Sequence, residues 1–161
     1  MTLKEYNNCV DNFSDNLYRF ILKNIKNEAI AEDVVQDSFE ILWINHENLK
    51  FEKAKSYLFS TGYHKMIDQI RKNKKFTDLE DKTSYEQIHE EQYSDIQEIL
   101  NNAISQLPEI QKHVLLLRDY EGYSYKEISE ITNITETQVK VYIYRARVFL
   151  KNIIVKVENL A

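Results

Sequence analysis

The chain has 161 residues, 43% of them hydrophobic, and a formal net charge of −5. This length allows one or two small domains with modest cores, and a single cysteine excludes an internal disulfide and a thiolate metal cluster. With only two glycines and one proline, and apolar residues recurring at helical spacing, the sequence predicts an all-α fold. No apolar run is long enough to span a bilayer, so we expect a cytoplasmic protein without membrane insertion.

The negative charge is concentrated in the middle of the chain. Residues 1–75 carry 12 basic and 11 acidic groups, residues 76–95 carry 1 and 7, and residues 96–161 carry 8 and 8. Two local basic patches lie outside the acidic stretch, at residues 64–75 and 135–151. Because local patches bind nucleic acid whatever the global charge, the acidic pI does not exclude a nucleic-acid partner.

The first 45 residues predict amphipathic helices. One or two helices are expected over residues 3–26, and a further helix, capped by Asn27, over residues 28–45. The outer face of the latter helix is unusual, because acidic side chains at i,i+4 spacing repel each other. These residues are bordered by the apolar Val34, Ile41 and Ile44, which predicts a docking surface for a partner rich in arginine or lysine. A solvated face is the alternative. The surface comprises Asp33, Gln36, Asp37 and Glu40.

A polar loop is expected over residues 46–56, followed by a helix over about 57–74. In this helix Tyr57, Phe59 and Tyr63 alternate with cations such as Arg71. Aromatic rings beside cations suit the capture of unstacked bases, although a core position is the alternative for each ring. Gly62, inside the helix, suggests the close approach of another backbone.

Residues 76–95 show little periodicity and predict an acidic linker between two domains. Three roles are open for this linker: it shields the basic patches, it occupies a positively charged channel in a partner, or it is an inert spacer. Helical patterns resume at Ile96. Pro108 opens a further helix through about Tyr120, and Gly122 ends it. The second domain, residues 96–161, is thus predicted to contain four helices.

The stretch Ser124–Arg147 has the spacing of a helix-turn-helix. Ser124 and Glu127 form one predicted capping box, and Thr135 and Gln138 form another. Between them Asn133 can adopt the left-handed conformation that a sharp turn requires. One stripe of the second helix is apolar: Val139, Ile143, Ala146, Leu150, Ile153 and Val157. The opposite face carries hydroxyl, cationic, aromatic and methyl groups suited to phosphates and base edges. An ordinary solvated face is the alternative.

Three motifs together resemble an extracytoplasmic-function sigma factor of the sigma-70 family, of the type with only the second and fourth sigma regions. They are AEDVVQDSFEILW (31–43), YLFSTGYHKMIDQIRKNKK (57–75) and LPEIQKHVLLLRDYEGYSYKEISEITNITETQVKVYIYRAR (107–147). The resemblance implies that core RNA polymerase, promoter DNA and an anti-sigma factor are partners. It assigns residues 1–75 to polymerase docking and the minus-ten element, and residues 96–161 to the minus-thirty-five element.

The resemblance also assigns roles to individual positions. The polymerase-binding residues would be Asp33, Gln36, Asp37 and Glu40. The minus-ten residues would be Lys53, Lys55, Tyr57, Tyr63, His64, Asp68 and Arg71. The minus-thirty-five residues would be Thr135, Thr137, Gln138, Lys140, Val141, Tyr144, Arg145 and Arg147. Tyr57 and His64 depart from the tryptophan and asparagine frequent in the family, and Val141-Tyr142 from a frequent serine-arginine pair.

The expected function is therefore transcription initiation by binding, without a cofactor or a bound metal. No nucleophile, base and orienting group recur at a catalytic spacing, and no phosphate-binding loop is present, so we do not expect an enzyme. One alternative is a stand-alone helix-turn-helix regulator that dimerises on a symmetric operator. Another is a helical adaptor that binds proteins only, for which replacing Lys140 or Arg145 would leave DNA binding unchanged.

Overall fold

A computed structural model describes residues 1–77 and 95–160, without the side chains of 75–77 and 160. The predicted linker 76–95 lies outside the described residues except at its ends. The described chain is helical throughout and contains no strand, which confirms the all-α prediction. Its helices are α1 (Leu3–Ile25), α2 (Glu28–Ile44), α3 (Phe51–Thr77), α4 (Asp95–Gln106), α5 (Glu109–Leu115), α6 (Tyr125–Thr132) and α7 (Glu136–Leu160). A 3-10 turn spans His46–Asn48 and a π-helical turn spans Leu116–Tyr120.

The first half, α1 to α3, follows local signals in the sequence. A capping box of Thr2 and Glu5 starts α1, which is a single helix, and Lys26 ends it in the left-handed conformation with φ 59°. The Asn27 side chain accepts a hydrogen bond from the Ile30 amide at 3.0 Å, as the sequence predicted. The ends of α1 and α2 thus have side-chain or backbone caps, which satisfy amides and carbonyls that would otherwise lack partners.

The predicted loop over 46–56 is wrong in its second part, because α3 begins at Phe51. The stretch from Phe51 to Ser56 is polar in composition but rich in good helix formers. Ala54 and Leu58 are both fully buried and lie one turn apart. This spacing gives the early turn of α3 a buried stripe, so the helix extends toward the amino terminus and carries Lys53 and Lys55 with it.

The helix predicted from Pro108 to Tyr120 is also not regular. It is an α-helix only to Leu115, and the Glu121 amide then bonds the Leu116 carbonyl at 3.1 Å, five residues back. Gly122 ends the element with φ 76°, as expected for the glycine after a helix. The apolar run Val114–Leu117 is entirely buried, and nothing in its sequence pattern marks the change from α to π geometry.

The core continues from the first half of the chain into the second. In the first half, Gly62 on α3 admits the side chain of Leu17, because a β-carbon at position 62 would lie 2.9 Å from Leu17 Cδ1. The close neighbour is therefore a side chain and not the backbone that the sequence suggested. Helix α3 also packs on α6, and the rings of Phe59 and Tyr123 meet with centroids 5.0 Å apart. The two halves thus share buried surface.

Candidate nucleic-acid and polymerase interfaces

Helices α6 and α7 form the helix-turn-helix that the sequence predicted. The Ser124 hydroxyl accepts from the Glu127 amide at 3.1 Å, and the Glu127 carboxylate accepts from the Ser124 amide at 3.0 Å. Asn133 turns the chain with φ 62°. Ser129 fixes the turn further, because its hydroxyl donates to the Ile134 carbonyl at 2.6 Å. Local hydrogen bonds therefore set the angle at which α7 leaves α6.

The start of α7 is capped by the second predicted box. The Gln138 amide donates to Thr135 Oγ1 at 3.1 Å, and Gln138 Oε1 accepts from the Thr135 amide at 2.9 Å. Both side chains are exposed. Because the cap uses the carbonyl oxygen of the Gln138 side chain, only its amide nitrogen remains available to donate to an outside acceptor.

The predicted reading face of α7 is exposed along its whole length. Val139, Ile143 and Ala146 are buried on the opposite stripe, as predicted. Tyr144 is 70% exposed and Val141 39%. The exposed positions on the reading face are Thr135, Thr137, Gln138, Lys140, Val141, Tyr144, Arg145 and Arg147. The stripe is half-buried at its remaining predicted members, Leu150, Ile153 and Val157. Helix α7 therefore presents a polar and aromatic surface on one side and packs with the first part of the other.

The cations on this face differ in how firmly they are held. Lys140 lies 3.9 Å from Glu136, a separation at which an exposed pair contributes little. Arg147 binds both carboxylate oxygens of Asp119, with Nε to Oδ2 at 3.2 Å, and this contact raises the pKa of the guanidinium. Arg145 is exposed and pairs with no acidic group among the described residues. Arg145 is thus the cation most available to a phosphate.

Sequence reasoning missed Tyr125, the first residue of α6. Arg118 lies over its ring at 4.4 Å and Lys140 at 5.6 Å from the ring centre. Arg118 also donates to the Tyr123 carbonyl at 2.9 Å. An aromatic ring flanked by two cations at the start of the helix-turn-helix adds positive potential beside α7. The available signal was the aromatic residue directly after the Ser124 cap.

The acidic face of α2 is exposed as predicted. Asp33, Gln36, Asp37 and Glu40 are all exposed, and Lys65 of α3 lies 4.0 Å from Asp37. The sequence had placed Val34 at the border of this face, which is wrong, because Val34 is 3% exposed and belongs to the core. The exposed face is consequently narrower than the sequence suggested.

The face continues toward the end of α2 with large apolar side chains. Trp43 is 40% exposed and Ile44 is 67% exposed, one turn beyond Glu40. The Trp43 indole stacks on the His46 ring with centroids 4.0 Å apart, and the Tyr6 ring packs edge-on against it with centroids 5.0 Å apart. Trp43 was absent from the predicted site, although its helical spacing from Glu40 placed it on the same side. Acidic and apolar groups together are typical of a protein-docking surface.

Helix α3 exposes only part of its predicted minus-ten set. Lys53, His64, Asp68 and Arg71 are exposed, while Lys55 and Tyr57 are half-buried. Asn45 donates to the Tyr57 hydroxyl at 3.0 Å, which orients that ring at the edge of the surface. Phe59 is fully buried, so the alternative of a core ring is correct for this aromatic.

Tyr63 is 5% exposed and lies against the second half of the chain. Its hydroxyl and His113 Nδ1 are hydrogen-bonded at 3.1 Å. Burial raises the pKa of Tyr63 to about 12 and lowers the pKa of His113 to about 3, because burial disfavours each charged form. Both groups are therefore neutral near pH 7, and Tyr63 does not face solvent in this arrangement.

Two further searches cover the described residues. None of the helices in residues 1–77 and 95–160 combines the length and hydropathy needed to cross a bilayer. The same residues contain no cluster of three histidine, cysteine or carboxylate side chains arranged to hold a metal ion.

These features define a helical protein with a helix-turn-helix and a separate acidic and apolar docking face, and comparison with known proteins gives the family. Residues 9–76 match the model of sigma-70 region 2, and residues 92–150 match that of sigma-70 region 4. The chain belongs to the sigma-70 family and is a sigma factor of the extracytoplasmic-function type, a transcription initiation factor.

The matched relatives extend over most of both chains. The ECF RNA polymerase sigma factor SigM of Bacillus subtilis is 31% identical over an alignment of 144 residues, and the match covers 86% of this chain and 88% of SigM. SigV of the same organism is 30% identical over an alignment of 141 residues, and the match covers 86% of this chain and 84% of SigV. Nothing in these comparisons supports the alternative of a stand-alone regulator.

A solved structure has the same fold. The sigma factor RpoE of Bartonella quintana, in complex with the anti-sigma factor NepR, superposes with a TM-score of 0.78 at 24% identity. The match covers 94% of this chain and 98% of RpoE. At this identity the likeness supports the arrangement of helices and carries no residue roles.

Proposed function

We propose that this sigma factor binds core RNA polymerase through α2, reads the minus-thirty-five element with α7, and captures minus-ten bases with α3. The observation that carries the proposal is the order of the two matched regions, each with an exposed face of suitable chemistry. Residues 1–75 would form the docking and minus-ten domain, and residues 96–161 the minus-thirty-five domain. The chain would act by binding alone, with no catalytic step.

The α2 face suits a positively charged helical partner. Its four polar residues, Asp33, Gln36, Asp37 and Glu40, are exposed and two of the acidic ones are one turn apart. Repulsion within such a face is relieved when a partner supplies arginine or lysine. Trp43 and Ile44 add apolar surface at one end, where a well-packed contact excludes water and contributes most of the affinity. The docking face would therefore be charged at one end and apolar at the other.

The α7 face suits the major groove. Thr137 and Lys140 lie in its first turns, which approach base edges most closely in a helix-turn-helix. Arg145 lies further along and would bind a phosphate, while Tyr144 and Val141 present a ring and methyl groups to the groove. Asp119 would keep Arg147 beside the groove in a fixed orientation.

The α3 face suits a single strand. His64 and Arg71 are exposed on α3, away from the core. Lys53 is also exposed and extends the positive surface toward the start of the helix. Stacking on a ring contributes about 1–3 kcal/mol per base, which offsets the few kcal/mol that unstacking costs. Tyr57 and Tyr63 would supply such rings once both side chains are accessible to the strand.

The location and partners follow from this role. A factor that loads RNA polymerase on DNA works in the cytoplasm, where both are present. An anti-sigma factor would be a further partner, consistent with the complex in which the RpoE of Bartonella quintana was solved. Such a protein would compete with polymerase for the exposed face of α2, or with DNA for the exposed face of α7.

The test is run-off transcription with bacterial core RNA polymerase on fragmented genomic DNA. The wild type is expected to give promoter-specific transcripts, and the D33A/D37A variant to lose most of them. The matched control is D11A/D15A, since Asp11 and Asp15 are exposed on α1 with the same spacing and charge. Equal transcript levels in the two double variants would contradict the assignment of the α2 face.

A second pair of variants in the same assay addresses α7. R145A is expected to reduce transcription by roughly tenfold, which corresponds to about 1.4 kcal/mol. K156A removes an exposed cation from the far end of the same helix and is expected to have little effect. If no transcript appears with any protein, and the chain binds a symmetric DNA site without polymerase, the proposed function is wrong.

A further inference from the structure

The side of α7 that points furthest from the core is apolar, although it is exposed. Val141 is 39% exposed, Tyr144 70% and Val148 40%. At about 100° of rotation per residue, these three side chains lie within about 60° of one another, opposite the buried Val139. We call them the apolar row. Three neighbouring exposed apolar side chains form a patch, which is typical of a recognition surface.

Cations lie on both sides of the apolar row. Lys140 and Arg147 project within about 20° of each other on one side, and Arg145 projects on the other. Between residues 137 and 157 the sequence contains no acidic side chain. Phosphates border the major groove on both sides, and base edges form its floor. An apolar centre with cationic margins therefore matches a DNA groove better than it matches a protein surface.

Within the apolar row, Val141 lies nearest the start of the helix. It is the sixth residue of α7, which begins at Glu136. In a helix-turn-helix the residues in the first turns of the second helix approach base edges most closely. Val148 lies two turns later, about 10 Å further along the helix axis. Val141 is thus the apolar side chain best placed to touch a base.

The chemistry of a valine limits what it can recognise there. Its side chain has neither a hydrogen-bond donor nor an acceptor. Among the groups that base pairs present in the major groove, the C5 methyl of thymine is the apolar one. Packing a valine against the polar edge of guanine or cytosine would remove water from donors and acceptors without replacing it, which is unfavourable.

We propose that Val141 reads the C5 methyl group of a thymine in the minus-thirty-five element, with the Tyr144 ring beside the same methyl from the next turn. This inference rests on the proposed function, because it requires α7 to lie in the major groove of that element. It specifies an A·T pair at the position that Val141 faces. Arg145, as a phosphate contact, supplies no such sequence information.

The residue frequent in the family at position 141 would act differently. A serine hydroxyl both donates and accepts hydrogen bonds, so it bonds to more than one kind of base edge. Val141 exchanges that versatility for a contact that only a methyl group satisfies. This chain should therefore discriminate against promoters without a thymine at that position.

Deoxyuridine substitution tests the methyl contact, because deoxyuridine pairs with adenine and lacks only the C5 methyl. The DNA is a promoter recovered by the run-off transcription described above, with one upstream thymine at a time replaced on either strand. Binding of the complex of core polymerase and this protein is measured by fluorescence anisotropy. At one thymine the wild type is expected to bind about fourfold more weakly, the factor for burying one methyl group.

V141A identifies the side chain that makes the contact. It should bind the thymine promoter more weakly than the wild type and show no further loss with deoxyuridine. The matched control is V148A, since Val148 has the same side chain and almost the same exposure on the same row. V148A should keep the fourfold difference. R145A should weaken binding to both DNAs equally, because a phosphate contact does not depend on the methyl group.

Three results would overturn the proposal and leave the sigma-factor role intact. One is unchanged affinity at every deoxyuridine position. Another is a deoxyuridine effect of equal size in the wild type and V141A, which would assign the methyl to a different side chain. The third is weaker binding of V141A to core polymerase without DNA, which would show that the apolar row faces a protein. If no promoter-specific complex forms, the proposed function is wrong and the methyl contact falls with it.

Discussion

The two halves of this sigma factor expose their predicted reading residues to different degrees. All eight residues assigned to the minus-thirty-five element lie exposed on α7 or at its cap. Of the seven assigned to the minus-ten element, Tyr63 is buried and two others are half-buried. The reading face of α7 depends on caps and spacing within 24 residues of chain, from Ser124 to Arg147. The α3 face depends on a contact between residues 50 positions apart in the chain.

The comparison is tested most strongly by replacing a tyrosine in each environment. Tyr123 is 1% exposed between the halves, and Tyr144 is 70% exposed on the reading face. We expect Y123A to reduce the free energy of unfolding by about 3–5 kcal/mol, the range for large buried aromatic side chains. Y144A should change it by less than about 0.5 kcal/mol. Urea unfolding monitored by circular dichroism measures both, and equal losses would contradict the shared core.

Acid should lower the free energy of unfolding of the protein through His113. Its pKa is about 3 in the folded protein because of burial and, to a lesser extent, Lys112, and is about 6.5 when exposed. The unfolded chain therefore binds a proton that the folded chain does not, so stability is lost as pH falls from about 6.5 toward 3. At pH 5.5 this group alone should cost about 1.4 kcal/mol.

The H113Q variant isolates this effect, because glutamine does not titrate and can still hydrogen-bond the Tyr63 hydroxyl. The measurement is urea unfolding at pH 7.5 and 5.5 for both proteins. The wild type should lose more stability than H113Q over this interval, and an identical loss would show that His113 is not protected from protonation. The neighbouring charged groups are the same in both proteins: Arg71, Lys74 and Glu109 line the surrounding cleft, and Lys112 acts on His113 through its charge.

The two glycines of the chain, one in each half, give the comparison with the smallest expected change in stability. A β-carbon at position 62 would lie 2.9 Å from Leu17 Cδ1, whereas at position 122 nothing lies within 4 Å but φ is +76°. We expect G62A and G122A each to cost about 1 kcal/mol, the first through overpacking and the second through backbone strain.

Asparagine distinguishes the two causes. At position 122 asparagine should be tolerated better than alanine, because it enters the left-handed region more easily. At position 62 it should be tolerated worse, because it is larger. Thermal unfolding of the four variants checks this reversal, and the same order at both positions would contradict the distinction between packing and backbone conformation.

Much of the fold was predictable from the sequence because its signals are local. The Asn27 cap, both capping boxes of the helix-turn-helix and the left-handed Asn133 were all predicted and confirmed. Polar composition misled at residues 51–56, where Ala54 and Leu58 nevertheless lie on a buried stripe. The π-helical turn at Leu116–Tyr120 had no signal in the pattern, since the apolar run is compatible with either geometry.

In the candidate sites, too, some features were predictable from the sequence and others were not. Periodicity predicted that Asp33, Gln36, Asp37 and Glu40 share an exposed face, because 3.6 residues per turn fix which side chains align. Periodicity could not decide between the core and the surface for Tyr57, Phe59 and Tyr63, because α1, α2 and α6 pack on different sides of α3. The contribution of Trp43 was missed since an indole at such a position is equally compatible with burial.

The sequence by itself determined the helices, their caps, the helix-turn-helix and the family, because these depend on residues within a few turns of one another. Only the tertiary structure decided that Tyr63 lies against His113 and that the Glu121 carboxylate is buried against Arg19. These pairs join residues 50 and 102 positions apart. No local pattern encodes such contacts, since each depends on how α1 and α3 pack against residues 109–123.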